Sequence, residues 1–236
     1  NLDFKTIESY IPEEILSIKS KRPVIKDEFI VKSKGFKYGF KTRKSEQTYI
    51  CIGFKTCSKF NKDKHVLDVL ENMLVGNMSS ILFREIREKN GLTYSISIDS
   101  SNYKNLGCFN ILTSVDSEKF IMYKSEKNKV NKGLLPILIE ILIKIKSNTE
   151  ENNQFLQKHL DIAKNYLKGS ISIQNEDSNN IASYNGYNFA FDLKEKNIKR
   201  ADASDKIYKN IKLKDIKKII KKYITYDNMV AYMIGP

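Results

Sequence analysis

The sequence has little of what catalysis draws on. Histidine occurs only as His65 and His159, and neither has a His or Cys four residues away. A catalytic zinc needs about three protein ligands, a bound water and a general base. Two His one helical turn apart supply two of those ligands from one helix face. This chain lacks that pair, which excludes a self-contained HxxEH metal centre. No GxSxG, P-loop or GxGxxG motif is present. The three cysteines, Cys51, Cys57 and Cys108, show neither CxxC spacing nor an even framework. They read as free thiols of a reducing, intracellular compartment, with cytoplasm and mitochondrion left open. A Cys51 or Cys57 pairing with His65 has no orienting third group. Long apolar runs are also missing. The longest, Leu134 to Ile145, is broken by Glu140 and suits a buried helix, not a membrane span. No secretory signal opens the chain.

Arginine is scarce too: Arg22, Arg43, Arg84, Arg87 and Arg200 are all there is. The formal net charge of +13 therefore comes from lysine, spread along the chain. Arg is the usual reader of bases, and scattered Lys gives solvation and loose phosphate attraction. A basic nucleic-acid-binding module is thus the weakest of the readings kept below. Apolar residues make up 41% of the chain, enough for a substantial core.

Periodicity sketches the elements. A short helix is expected near Pro12–Ser20, a short strand at Phe29–Lys32 and a loop at 33–46. Gln47–Phe54 alternates, with Thr48, Ile50, Ile52 and Phe54 on one face, and predicts a strand. Asp63–Leu74 carries an i, i+3, i+4, i+7 stripe and predicts an amphipathic helix. Ser79–Lys89 predicts a second helix, stopped at Gly91. Leu92–Ile98 and Gly107–Ser114 predict a hairpin about a turn at Asn102–Leu106, which would put Tyr94 on the apolar face beside Leu92 and Ile96. Helices follow at Leu134–Ile145, 151–173, 181–193 and Leu213–Tyr223, then a closing strand at Met229–Ile234. Strands, then helices, then a strand argue an α+β fold, an antiparallel β-sheet covered by helices. Residues 1–27 read as a linker or the tail of a preceding domain, and 28–236 as one domain. The start at Asn1 fits a piece of a longer chain.

Four segments together resemble the pitrilysin/insulinase family of zinc metallopeptidases, in its mitochondrial processing peptidase-like branch. They are Glu46-Gln47-Thr48 at a strand start, the stretch from Leu74-Val75-Gly76-Asn77-Met78 to Phe83, the stretch from Arg84-Glu85-Ile86-Arg87 to Gly91-Leu92-Thr93-Tyr94, and the tail from Leu213 through Tyr223 to Ile234-Gly235-Pro236. The resemblance covers about residues 45 to 236. Only Gly76 remains of the glycines often found before Met78, and Ile81 stands where Arg is common. The family closes two similar halves about a chamber. One half carries zinc on HxxEH; the other carries segments like those quoted, and this chain is similar to that second, C-terminal half.

The resemblance implies a fold that is one half of a clamshell peptidase. It also implies a substrate-binding role for Arg87 and Tyr94, whose guanidinium and phenol can donate to a peptide carbonyl or an oxyanion. It implies no catalytic residue and no metal in this chain, with zinc in an HxxEH-bearing half, preceding or separate, and unfolded peptides as substrate. His65-Val66-Leu67-Asp68-Val69 reads as a lapsed form of the metal motif. A non-catalytic interaction or core subunit of the same family is the alternative.

Overall fold

A computed structural model describes residues 3–17, 35–124, 129–191 and 203–236. The chain divides into two compact units, 1–31 and 32–236. In the first, α1 spans Phe4–Ser9, with the Asp3 carboxylate accepting the Thr6 N–H at 2.8 Å as its N-cap, and α2 spans Glu13–Leu16 directly after Pro12. The helix expected near Pro12–Ser20 is therefore shorter. The strand expected at 29–32 lies outside the described residues.

The larger unit is built on a five-stranded sheet of order β1-β7-β2-β4-β3, in which β1 is Lys37–Thr42, β2 Gln47–Thr56, β3 Ile96–Asn102, β4 Gly107–Asp116 and β7 Met229–Gly235. All pairings are antiparallel except β1 with β7. The sheet is thus mostly antiparallel, as the α+β reading holds. β1 itself falls within the stretch read as a loop. Its six residues are exposed but for one, because it is a sheet edge with no second face to bury, so no apolar alternation marks it. A separate two-stranded ribbon joins β5, Met122–Lys124, to β6, Val130–Lys132.

β2 is central, and its alternation is the reason. Thr48, Ile50, Ile52 and Phe54 are all buried, opposite Val115, Thr113, Ile111 and Phe109 of β4. The helices cover that face. α3 is Asp63–Leu74, α4 Leu134–Lys144, α5 Glu150–Gln174, α6 Ser178–Phe191, α7 Ala203–Asn210 and α8 Leu213–Tyr223. α3 places Leu67, Val69, Leu70, Met73 and Leu74 in the core and packs against α5, α7 and α8. Leu67, Leu82, Leu134, Leu138 and Leu156 are fully buried, each worth about 1.5–3 kcal/mol relative to exposure. The start of α3 is tied to α8 by Asp63, whose carboxylate accepts from Lys222 Nζ at 2.6 Å and from the Tyr223 hydroxyl at 2.8 Å. Gly133 caps the start of α4, and a Cβ there would stand 2.2 Å from the carbonyl oxygen of Lys119, so only glycine lets the two backbones meet.

Candidate functional site

Residues 81–88 are helical, and the last six, Phe83–Glu88, wind as a π-helix. Ile81, Leu82 and Ile86 are buried and anchor its inner face. The wider turn sends the Lys89 N–H back five residues to the Arg84 carbonyl at 2.9 Å. Such turns gather at functional sites. Gly91, at φ +58°, ends the helix in the left-handed conformation that glycine adopts without penalty. The N–H groups of Gly91 and Leu92 fold back onto the Arg87 and Ile86 carbonyls.

The chain then stays irregular until Ile96, so the strand expected from Leu92 starts four residues late. A buried hydroxyl pair explains the irregular stretch. The Thr93 and Thr113 hydroxyls lie 2.9 Å apart, and both donate toward the Ser95 carbonyl, at 2.7 and 2.9 Å. Thr93 Oγ1 also accepts the Ser95 N–H at 3.2 Å. These bonds clamp the backbone on both sides of Tyr94 and turn its side chain outward. Tyr94 is 85% exposed, which corrects the placement that strand alternation alone gave it in the core.

Arg87 is exposed on the outer side of the π-helix. Its guanidinium carbon lies 5.2 Å from the Tyr94 ring centroid and 4.8 Å from that of Phe83, one turn earlier. Each contact is a cation–π interaction of about 0.5–1 kcal/mol at an exposed site. The structure thus brings Arg87 and Tyr94 together. No acidic side chain pairs with Arg87 among the described residues, so its N–H donors remain open to a ligand. Sequence reasoning missed Phe83, although Phe and Arg four apart on a helix is a usable signal. It also missed Thr113, whose hydroxyl sits in ordinary strand alternation and signals nothing.

The α3 position that resembles a lapsed metal motif does not fit zinc. The Asp68 carboxylate is engaged by Lys64 Nζ and by the Tyr208 hydroxyl, both at 2.9 Å. Val69, where a second imidazole would stand, is fully buried. His65 Nδ1 lies 3.8 Å from Asp68, and its ring meets the edge of Tyr208. His159 is 5% exposed, with Nδ1 2.8 Å from the Phe155 carbonyl, and burial lowers its pKa. Among the described residues no three or more His, Cys, Asp or Glu side chains are grouped to hold a metal. One carboxyl near this position is unusual. Burial, helped by the nearby charges of Asp68 and Asp99, pushes Glu71 up from an ordinary 4.5 to about 7. Cys51, Cys57 and Cys108 are free thiols, and burial raises the pKa of the first two. No helix among the described residues is long and apolar enough to cross a membrane.

Comparison with known proteins places this architecture. An uncharacterised zinc protease of Bacillus subtilis is 30% identical over 146 residues, which cover 62% of this chain and 32% of that protein. One of Rickettsia felis is 31% identical over 128 residues, covering 51% and 31%. The chain spans about a third of the length of these relatives. Among solved structures, a protease from Helicobacter pylori superposes with a TM-score of 0.70 at 16% identity, over 87% of this chain and 45% of that one. The peptidase M16 inactive domain from Pseudomonas fluorescens does so with a TM-score of 0.66 at 22% identity, over 86% and 43%. These two establish the fold. The family described as peptidase M16 inactive domain matches residues 1–167, starting ahead of the motifs that carry the resemblance. That stretch is well over half of the sequence, and the chain belongs to the peptidase M16 inactive-domain family.

Proposed function

We propose that this chain is the substrate-binding, non-metal half of a zinc endopeptidase that encloses unfolded peptides. The observation that carries the reading is the stacking of Arg87 on the exposed ring of Tyr94, with no acidic side chain among the described residues paired to the guanidinium. A guanidinium held by a neighbouring ring loses less freedom on binding than a free one. Its N–H groups and the Tyr94 hydroxyl are donors suited to a peptide carbonyl, and to the oxyanion that forms when that carbonyl is attacked. Tyr94 lies just before β3, an end strand of the sheet, and Arg87 reaches its ring from the preceding π-helix. An extended peptide adding to the open edge of β3 by backbone hydrogen bonds would run past them.

Zinc and the attacking water belong, in this reading, to an HxxEH-bearing half in the same polypeptide or in a separate subunit. Arg87 and Tyr94 complete the site from across the chamber as the halves close. The test is peptide cleavage by the intact protein together with its HxxEH half, comparing wild type with Arg87→Ala and Tyr94→Phe. A fall in kcat/KM of about tenfold or more, roughly 1.4 kcal/mol of transition-state stabilisation, is expected with unchanged thermal unfolding. Full activity in both variants refutes the assignment. An inactive wild type in the presence of its metal-bearing half favours a non-catalytic interaction subunit instead.

A further inference from the structure

A groove of about 580 Å³ runs between the connection from α4 to α5 and helix α8. Lys146 lines one side, and Lys214, Lys217, Lys218 and Lys221 line the other. Ile145, Ile220 and Ile224 complete its apolar wall. None of the ten lining residues is acidic, arginine or aromatic. Acids close by in sequence or space have their main partners elsewhere, although the Asp63 carboxylate also acts electrostatically on Lys218. Asp215 accepts the Lys212 N–H at the start of α8, and Asp63 holds Lys222 and Tyr223. Glu150 and Glu151, in the first turn of α5, do not line the groove. Lys217 Nζ is held by the side-chain oxygens of Asn148, at 3.1 Å, and Asn153. These acceptors are neutral, so they fix the ammonium in place and leave its charge uncancelled. The groove is concave, has apolar patches and concentrates positive charge, and the peptidase reading makes no use of it.

We infer that the groove binds an acidic stretch of polypeptide, with several Asp or Glu carboxylates spaced along an extended chain. The lysines stand on two elements that face each other, so the ligand must offer negative charge along both sides of its length. Their aliphatic stems and the three isoleucines accept small apolar side chains between the carboxylates. Nucleic acid fits less well, because the groove has no aromatic platform for bases and no guanidinium fork for phosphate. A bilayer fits less well, because a concave groove and a flat surface are not complementary in shape.

The test is the anisotropy of a fluorescent peptide of alternating Glu and Leu, titrated with the intact protein at low and physiological salt. The variant Lys146→Gln, Lys214→Gln, Lys218→Gln, Lys221→Gln removes four exposed charges and keeps Lys217, which orders the wall. A control replaces Lys44, Lys124, Lys158 and Lys168, also exposed and outside the groove, by Gln for the same net charge. The groove variant is expected to weaken binding by about tenfold or more, the combined effect of four exposed ion pairs, and to flatten its salt dependence. The control is expected to bind as wild type does, and thermal unfolding of both variants should match wild type. The inference is overturned by no binding to the wild type, by an equal loss in the control, or by a groove variant that binds as wild type. It is overturned equally if a single-stranded oligonucleotide or vesicles with anionic lipid bind the groove more tightly than the peptide does.

Discussion

Replacing Glu71 by Gln should stabilise the protein at pH 8 and leave it nearly unchanged at pH 4. Glu71 lies on α3, partly buried, and its folded pKa is about 7 against an ordinary 4.5. Burial is the main cause. The charges of Asp68 and Asp99 add to it, and Lys64 opposes it. A carboxyl whose pKa rises on folding holds its proton more tightly in the native state. Between the two pKa values the folded protein binds more protons than the unfolded chain, so stability falls as pH rises through that window. The loss begins near pH 4.5 and is complete just above pH 7. A rise from 4.5 to about 7 corresponds to about 3 kcal/mol, and the partial exposure of the side chain reduces this to about 2–3 kcal/mol. Glutamine has nearly the same volume, keeps a donor and an acceptor, and carries no charge at any pH. The variant should therefore be more stable than wild type by about 2–3 kcal/mol at pH 8, or about 4–12 °C in Tm for a domain of this size. At pH 4 the two should differ by less than about 0.5 kcal/mol. Urea unfolding of both proteins at pH 4, 6 and 8, followed by circular dichroism, measures the difference directly. A variant that is equally stable or less stable at pH 8 would refute the reasoning, since it would mean that Glu71 ionises without cost in the folded state.

Two further variants probe how Tyr94 is held and whether α3 can take a metal. Thr113→Val removes one buried hydroxyl but leaves Thr93 to satisfy the Ser95 carbonyl, so it should cost only about 1 kcal/mol, roughly 2–4 °C in Tm. If the clamp orients Tyr94, kcat/KM of the assembled peptidase falls by more than this loss of stability explains, and Thr113→Ser restores it; equal activity in the Val and Ser variants counts against such orientation. Rebuilding the metal motif with Asp68→Glu and Val69→His should yield no zinc retention on equilibrium dialysis, because residue 69 points into the core and a buried imidazole there costs about 3 kcal/mol or more. Stoichiometric zinc with unchanged Tm would contradict that account of α3.

How much of this could be read from the residues depended on whether a side chain's role was local. β2 was legible because each of Thr48, Ile50, Ile52 and Phe54 repeats the same burial, and α3 because its stripe from Leu67 to Leu74 faces one core. β1 was not, because an edge strand with solvent on most of its residues has no reason to alternate. Its parallel pairing with β7, almost two hundred residues later, is a long-range fact that no local pattern encodes. α7 was missed for the same reason, since Tyr208 finds its partner Asp68 only in the folded protein. The candidate site divides along this line as well. Family resemblance, not periodicity, singled out Arg87 and Tyr94, and periodicity misplaced Tyr94. Leu92, Tyr94 and Ile96 obey the alternation of a strand, yet the bonds from Thr93 and Thr113 to Ser95 hold the chain off the ladder until Ile96. Two hydroxyls of a kind that strands routinely carry thus override an apolar pattern and put an aromatic ring on the surface beside a guanidinium. The exposed ring in turn holds Arg87 beside it, and among the described residues no acidic side chain pairs with that guanidinium.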